Sequence, residues 1–285
     1  MLKNQIAIVG IAILLAAFII SGPDVIWGFS FFASPSNISG ELTFQTLPLG
    51  GMVSLNFDDG FESAYQNGWP VIKASGLPST HYIITSYLDR EDYLTSRQVL
   101  AMQEAGAEIG AHSRTHPNLA EIDRYDLPWQ IEGSRDDLLK LGIEKVETFA
   151  YPYGGHNELS VAEVKKSGFV GARAFDLGLN DKTTDDYLLH RWGVTVKSSW
   201  PEIKEKIDSA MRDKKWLILV FHRIDEDGNS ISIRHEVLQQ IVDYLKAQKI
   251  LVVTTAEGLR LLHSEKTVNS LITPIATSTE PGHSG

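Results

Sequence analysis

From Gly51 onward, short apolar runs alternate with segments whose apolar residues recur at helical spacing, and this alternation constrains the fold more than any other feature of the chain. Strand-like runs read at Met52–Asn56, His81–Thr85, Glu108–Ala111, Val146–Tyr151, Val170–Ala174, Arg191–Val196, Leu217–Phe221 and Ile250–Thr254. Helices are expected between most of them. Thr95 or Ser96 can cap a segment ending at Gly106, and Asp126–Leu141 stops at Gly142. Pro201 stands near the start of a helix running to Asp213, and another spans Arg234 to Ala247. Parallel strands need such crossovers. Seven or eight strand–helix units over about 200 residues predict an α/β fold, a distorted (β/α) barrel of seven or eight parallel strands, with functional residues at the strand ends.

The flanks of this region differ in composition. Lys3 precedes an unbroken apolar run from Ile6 to Ile20, so residues 1–30 read as a membrane anchor or signal peptide that places the rest outside the cytoplasmic membrane. Residues 31–49 read as a linker, 50–262 as the folded domain, and 263–285, rich in Ser, Thr, Pro and Gly, as a disordered tail in which His263 is an exposed bystander. A net charge of −10 argues against a nucleic-acid partner. The absence of cysteine excludes thiolate ligands and cysteine nucleophiles, so any metal must be held by His, Asp or Glu.

The strand ends carry the chemistry. Asn56-Phe57-Asp58-Asp59-Gly60 places two adjacent carboxylates where the first strand must turn, and Gly60 permits that turn. Two such charges share a pocket only if a cation neutralises one, which then serves as a ligand while the other stays free as a base. His112 and His116 follow the third strand at a spacing of four, which on a helical turn would put both imidazoles on one face. A zinc-protease motif has the same spacing but needs glutamate directly after the first histidine, where this chain has Ser113. Asp59, His112 and His116 then form a two-histidine, one-carboxylate set that leaves positions open on zinc or another divalent ion. The turn Pro152-Tyr153-Gly154-Gly155 can aim the Tyr153 N–H at a developing oxyanion, and His222, closing an apolar strand on the same rim, is the natural general acid. Tyr151, Tyr153, Trp192 and Trp200 are aromatic residues that could stack on sugar rings.

NFDDG at 56–60, HSRTH at 112–116, YPYG at 151–154 and VFH at 220–222, in that order, resemble the polysaccharide deacetylases of the NodB-homology type, carbohydrate esterase family 4, over about Gly51 to Leu262. The resemblance implies hydrolysis of the acetamide of N-acetylglucosamine units in a glycan, with acetate released. It makes Asp58 the base, Asp59, His112 and His116 the metal ligands, Tyr153 the backbone donor and His222 the acid. It puts Val220 where the family has an apolar residue near the acetyl methyl; Tyr151, Pro152 and Trp192 join it as candidate substrate contacts, and the ligand set suits Zn2+ first, with Co2+, Mn2+ or Ni2+ as alternatives. One departure stands out: the family commonly has arginine, orienting the base, where this chain has Ala150. Arg173 and Arg191, both at strand ends, are the candidates to replace it. An esterase for O-acetyl groups would use the same machinery, and a membrane-tethered glycan-binding protein could keep the fold without catalysis.

Overall fold

The computed structural model describes residues 50–271, and of the last helix only the side chains up to Ser264. The anchor or signal segment, the linker and most of the expected tail lie outside the described residues. Among those described, no helix is long and apolar enough to cross a membrane.

Seven parallel strands form a closed barrel: β1 (Met52–Phe57), β2 (Thr80–Ile83), β3 (Glu108–Ala111), β4 (Thr148–Ala150), β5 (Gly171–Leu177), β6 (Leu189–Gly193) and β7 (Trp216–Phe221). β1 closes it by pairing with β7 from Met52 opposite Trp216 to Phe57 opposite Phe221. On its other edge β1 meets β2 only at Asn56 and Phe57, while Met52 and Val53 pair with β10 (Leu251–Val252). β10 thus fills the gap where β1 and β2 splay, which is the distortion of this barrel. The crossovers are α1 (Trp69–Ser75), α2 (Ser96–Glu104), α3 (Leu127–Leu141), α4 (Glu158–Lys166) and α5 (Trp200–Asp213). After β7 come a two-residue ladder of β8 (Arg223–Ile224) with β9 (Ser232–Ile233), then α6 (His235–Ala247), β10 and α7 (Thr255–Leu271).

Local chemistry sets the helix ends. Thr95 caps α2 by accepting from Gln98 N while Gln98 returns the bond to Thr95 N, and α3 stops where Gly142 takes φ +112°. β6 begins earlier than expected and ends at Gly193, because Thr195–Ser198 closes a turn in which Ser198 N donates to Thr195 O. The last helix passes the expected boundary at 262, and His263 pairs with Asp186 at 2.8 Å rather than standing free.

Strand alternation divides the core. Leu55, Phe57, Leu217, Leu219 and Phe221 pack toward the helices, whereas Met52, Leu189, Trp216, Ile218, Val220 and Val253 fill the lower barrel together with Leu259 of α7. α7 plugs the floor closely: a Cβ at Gly258 would come within 2.5 Å of the Trp216 ring, and one at Gly171 within 2.5 Å of Leu259. Above this apolar plug the lumen turns polar. Trp216 Nε1 donates to Ser54 Oγ, and Thr80 and Thr148 donate to Glu108. The next layer up is the rim formed by the strand C-termini.

Candidate active site

β1 ends by handing over two carboxylates in succession. Asp58 continues the inward face of Ser54 and Asn56, and its N–H still bonds Phe221 O at 2.9 Å. The turn expected at Gly60 starts one residue earlier, since Asp59 itself has φ +70° ahead of Gly60 at +75°. This left-handed step swings both carboxylates toward the same opening.

The histidines arrive by a different route from the helical turn expected. Residues 112–116 form an irregular loop in which Ser113 (φ +62°) and His116 (φ +61°) are left-handed, and Ser113 Oγ accepts from His116 N at 2.9 Å. Side chains from α3 hold the loop in this shape. Gln130 Oε1 accepts from Arg114 N and Thr115 N, and Asp137 takes the Arg114 guanidinium with two bonds of 2.7 Å. A Cβ at Gly133 would meet that guanidinium at 2.5 Å, so α3 can approach only there. Non-glycine left-handed residues cost roughly 1–3 kcal/mol each, and of the eight among the described residues four lie here: Asp59, Ser113, His116 and Tyr153. Such strain collects where geometry serves a ligand.

The product of this folding is a three-ligand cluster. Asp59 Oδ1 lies 3.3 Å from His112 Nε2 and 3.2 Å from His116 Nε2, and the ligand atoms of all three residues fall within 4.8 Å of one another. The Ala150 carbonyl, 2.7 Å from His112 Nδ1, fixes the tautomer that leaves Nε2 free to ligate. Burial pushes the Asp59 carboxyl up, but the two imidazoles outweigh it and hold the group well below the ordinary carboxylate range. Among the described residues, no donor hydrogen-bonds buried Asp59 Oδ1. A carboxylate oxygen left bare between two imidazole nitrogens fits a divalent cation, and the triad could hold one.

Beside the cluster, Arg173 Nη2 donates to Asp58 Oδ2 at 2.5 Å. Arg173 projects inward from β5, next to Ala150 of β4 in register, so a guanidinium from the neighbouring strand reaches the carboxylate that Ala150 cannot. Burial raises the Asp58 pKa, while Arg173, then His112 and His222, outweigh it and bring the group below its ordinary value. His222 Nε2 stands 3.9 Å from Asp58 Oδ2. Burial pushes His222 down, Asp58 and Asp59 pull it up, and the balance stays below its ordinary value. Tyr153, at φ +56° and 68% exposed, packs its ring 4.5 Å from that of His116.

Other expected residues sit elsewhere. Tyr151 is only 2% exposed, packed against Phe149 and His156, so its ring is not open for stacking. Trp192 lies on the helix-facing side of β6 against the outer core, because Arg191 takes the inward position beside it; Trp200 packs edge-on to Tyr244. Pro152 is buried in the turn, and Val220 is buried one inward position below His222. Arg191 does not bond Asp58; its guanidinium lies 3.6 Å from the ring centroid of Phe175. Gln130, Asp137 and Phe175 carry no motif that could have singled them out.

The chain is similar to known proteins in sequence and shape. YxkH of Bacillus subtilis (strain 168) is 25% identical over 176 residues, 62% of this chain and 63% of that protein. The poly-beta-1,6-N-acetyl-D-glucosamine N-deacetylase of Staphylococcus aureus is 27% identical over 153 residues, and the match spans 49% of this chain and about half of that enzyme, 53%. Among solved structures, the Xyl-CE4 domain of a multidomain xylanase from the hindgut metagenome of Trinervitermes trinervoides superposes with a TM-score of 0.54 at 19% identity, over 76% of this chain and 92% of that one, a likeness of fold. Residues 48–172 match the polysaccharide deacetylase family, and this stretch contains β1, both carboxylates, both histidines and the Tyr153 turn. The barrel, with these motifs on one rim, is similar over that stretch to the polysaccharide deacetylases of the NodB-homology type.

Proposed function

We propose that this protein is a metal-dependent hydrolase that removes N-acetyl groups from N-acetylglucosamine units of a cell-surface or extracellular polysaccharide, releasing acetate. The observation that carries the reading is the meeting of Asp58, Asp59, His112, His116 and His222 at one rim, with Asp58 Oδ1, Asp59 Oδ1 and His222 Nδ1 buried and without hydrogen-bond partners. Buried acceptors and a buried imidazole nitrogen without protein partners, gathered in one site, are costly unless a ligand and a reaction use them.

Asp59, His112 and His116 would hold the ion, with zinc the first choice for a His/carboxylate set. Bound there, such an ion supplies Lewis acidity toward the acetyl carbonyl and eases deprotonation of water. Asp58 is tied to Arg173 through Oδ2, so its free Oδ1 takes the proton of the attacking water. The water oxygen adds to the acetyl carbon, and the developing oxyanion faces the Tyr153 N–H. The proton taken by Asp58 passes to His222, whose Nε2 stands 3.9 Å from Asp58 Oδ2, and His222 delivers it to the nitrogen as the C–N bond breaks, ending neutral as it began. The products are acetate and a sugar amine, which an acidic protein tolerates. Arg173, rather than a residue at 150, keeps the base ionised and oriented. That bond favours a working enzyme over a binding protein that has lost catalysis. We further propose that residues 1–30 carry the domain outside the membrane.

The test is acetate release by the chain from β-1,6- and β-1,4-linked N-acetylglucosamine oligomers, before and after chelation and with Zn2+, Co2+, Mn2+ or Ni2+ restored. Metal-restored release is the expected result. Release from O-acetylated glycans alone would overturn the N-deacetylase reading in favour of the esterase.

A further inference from the structure

Among the described residues, one buried charged side chain near the rim has no hydrogen-bond or ion-pair partner. Arg191, 6% exposed, takes the inward position on β6, and among the described residues no hydrogen bond or ion pair reaches its guanidinium. Arg173 already bonds Asp58, the carboxylate whose charge acts on Arg191. The Phe175 ring covers one face of Arg191 at 3.6 Å, and Gly193 leaves the room its Nη1 occupies, since a Cβ there would come within 2.2 Å. Burial, together with neighbouring Arg173, outweighs the pull of the Asp58 charge and brings Arg191 down to about 10. A buried guanidinium without an anion costs several kcal/mol and persists where a ligand supplies the missing oxygens.

We propose that Arg191, backed by Phe175, is a carboxylate-binding residue of this site, taking either the acetate formed when the amide is cleaved or a carboxylate on the glycan itself. This rests on the deacetylase reading for the source of the acetate but not for the anion site. A guanidinium matches a carboxylate with two parallel bonds. Phe175, 56% exposed, holds the guanidinium plane on one face and turns its other side outward. Among the described residues no hydrogen bond, ion pair or ring contact joins Arg191 to Asp59, His112 or His116, so an anion can be tested there without the ion.

The experiment is calorimetric titration of acetate, neutral acetamide and glucuronate into the metal-free full chain, for the natural sequence, Arg191→Met, Arg191→Lys and Phe175→Leu, each checked for an unchanged melting profile. Acetate binding at least about tenfold tighter than acetamide is expected, with a loss of about tenfold or more in Arg191→Met, a partial return in Arg191→Lys and a smaller change in Phe175→Leu. Should Arg191→Met fail to fold, the Lys and Phe175 variants still decide. Glucuronate binding tighter than acetate through Arg191 assigns the carboxylate to the glycan; the reverse assigns it to the product. Equal acetate affinity in the natural protein and a folded Arg191 variant, or no acetate binding at all, overturns the proposal. Because no ion and no turnover enter the measurement, an anion site that persists in a chain releasing no acetate would sink the deacetylase reading alone.

Discussion

The middle of the barrel lumen and its rim are both polar, and they treat their polar atoms in opposite ways. In the middle, Glu108 accepts from Thr148, Thr80 and the Ala256 N–H, Tyr82 donates to Thr148, and Thr255 bonds both Thr80 and Asn56. One helix terminus and four strands are tied there by partners the chain itself supplies. At the rim, Asp58, Asp59, Arg173, Arg191 and His222 account for five of the eight buried side-chain atoms that lack a partner among the described residues. Asn56 Nδ2, at the boundary between the two layers, is another. A buried polar group that is satisfied internally stabilises the fold, and one that is not is held ready for something that arrives later. Substitutions in the middle should therefore move stability without turnover, and those at the rim should do the reverse.

Asp58→Asn is the largest test of this split. Asparagine can still accept from Arg173, so the fold keeps its bond while the base is lost. Acetate release should fall by about 10²–10⁴-fold with the urea midpoint little changed. An unchanged rate would remove Asp58 from the chemistry. Gln130→Leu comes next, since its amide holds the backbone of Arg114 and Thr115 between the two histidines. Zinc affinity should drop about 10–100-fold, read by competition with a chelating dye, while turnover at saturating zinc recovers. Failure to recover would place Gln130 in the reaction rather than behind the ligands. Glu108→Gln sharpens the other side: its amide nitrogen would face donors it cannot accept from, at a cost of about 1–3 kcal/mol. The urea midpoint should fall, and the folded fraction should release acetate at the unaltered rate.

What could be read from the sequence was whatever depends on strand ends. The barrel, the NFDDG turn, His112, His116 and His222 all follow from apolar runs and the residues that stop them. The backbone of the histidine loop could not be read, because a spacing of four suggests a helical turn while left-handed Ser113 and His116 bring the imidazoles together by a path with no periodicity. Choosing between Arg173 and Arg191 was equally out of reach. β5 and β6 pair at Arg173 with Leu189 and again at Leu177 with Arg191, and the irregularity between them decides which guanidinium meets Asp58. Trp192 is different: period-two alternation beside an inward Arg191 already turns it outward, so the expectation of a sugar contact overlooked a signal that was present.

The smallest test concerns a histidine outside both polar layers. His81 on β2 stacks on Phe57 at 4.8 Å, meets Trp69 edge-on and bonds Ser79 Oγ through Nε2, and burial pushes it down to about 3. In the unfolded chain it titrates at its ordinary value of 6.5. Between these values the unfolded state binds a proton that the folded state refuses. The stability due to neutral His81 is therefore complete above pH 6.5 and is lost as the pH falls toward 3, at no more than about 1.4 kcal/mol per pH unit. His81→Phe keeps the stacking and removes the titration, so urea midpoints measured from pH 7 to 5 should decline less steeply in the variant. If the two slopes coincide, another buried histidine carries the acid sensitivity. At the rim, His222 is also held below its ordinary value by burial, with Nδ1 unpartnered among the described residues. Protonation at the rim would then be coupled to global folding, and the division between a stabilising lumen and a ligand-awaiting rim would fail at His222.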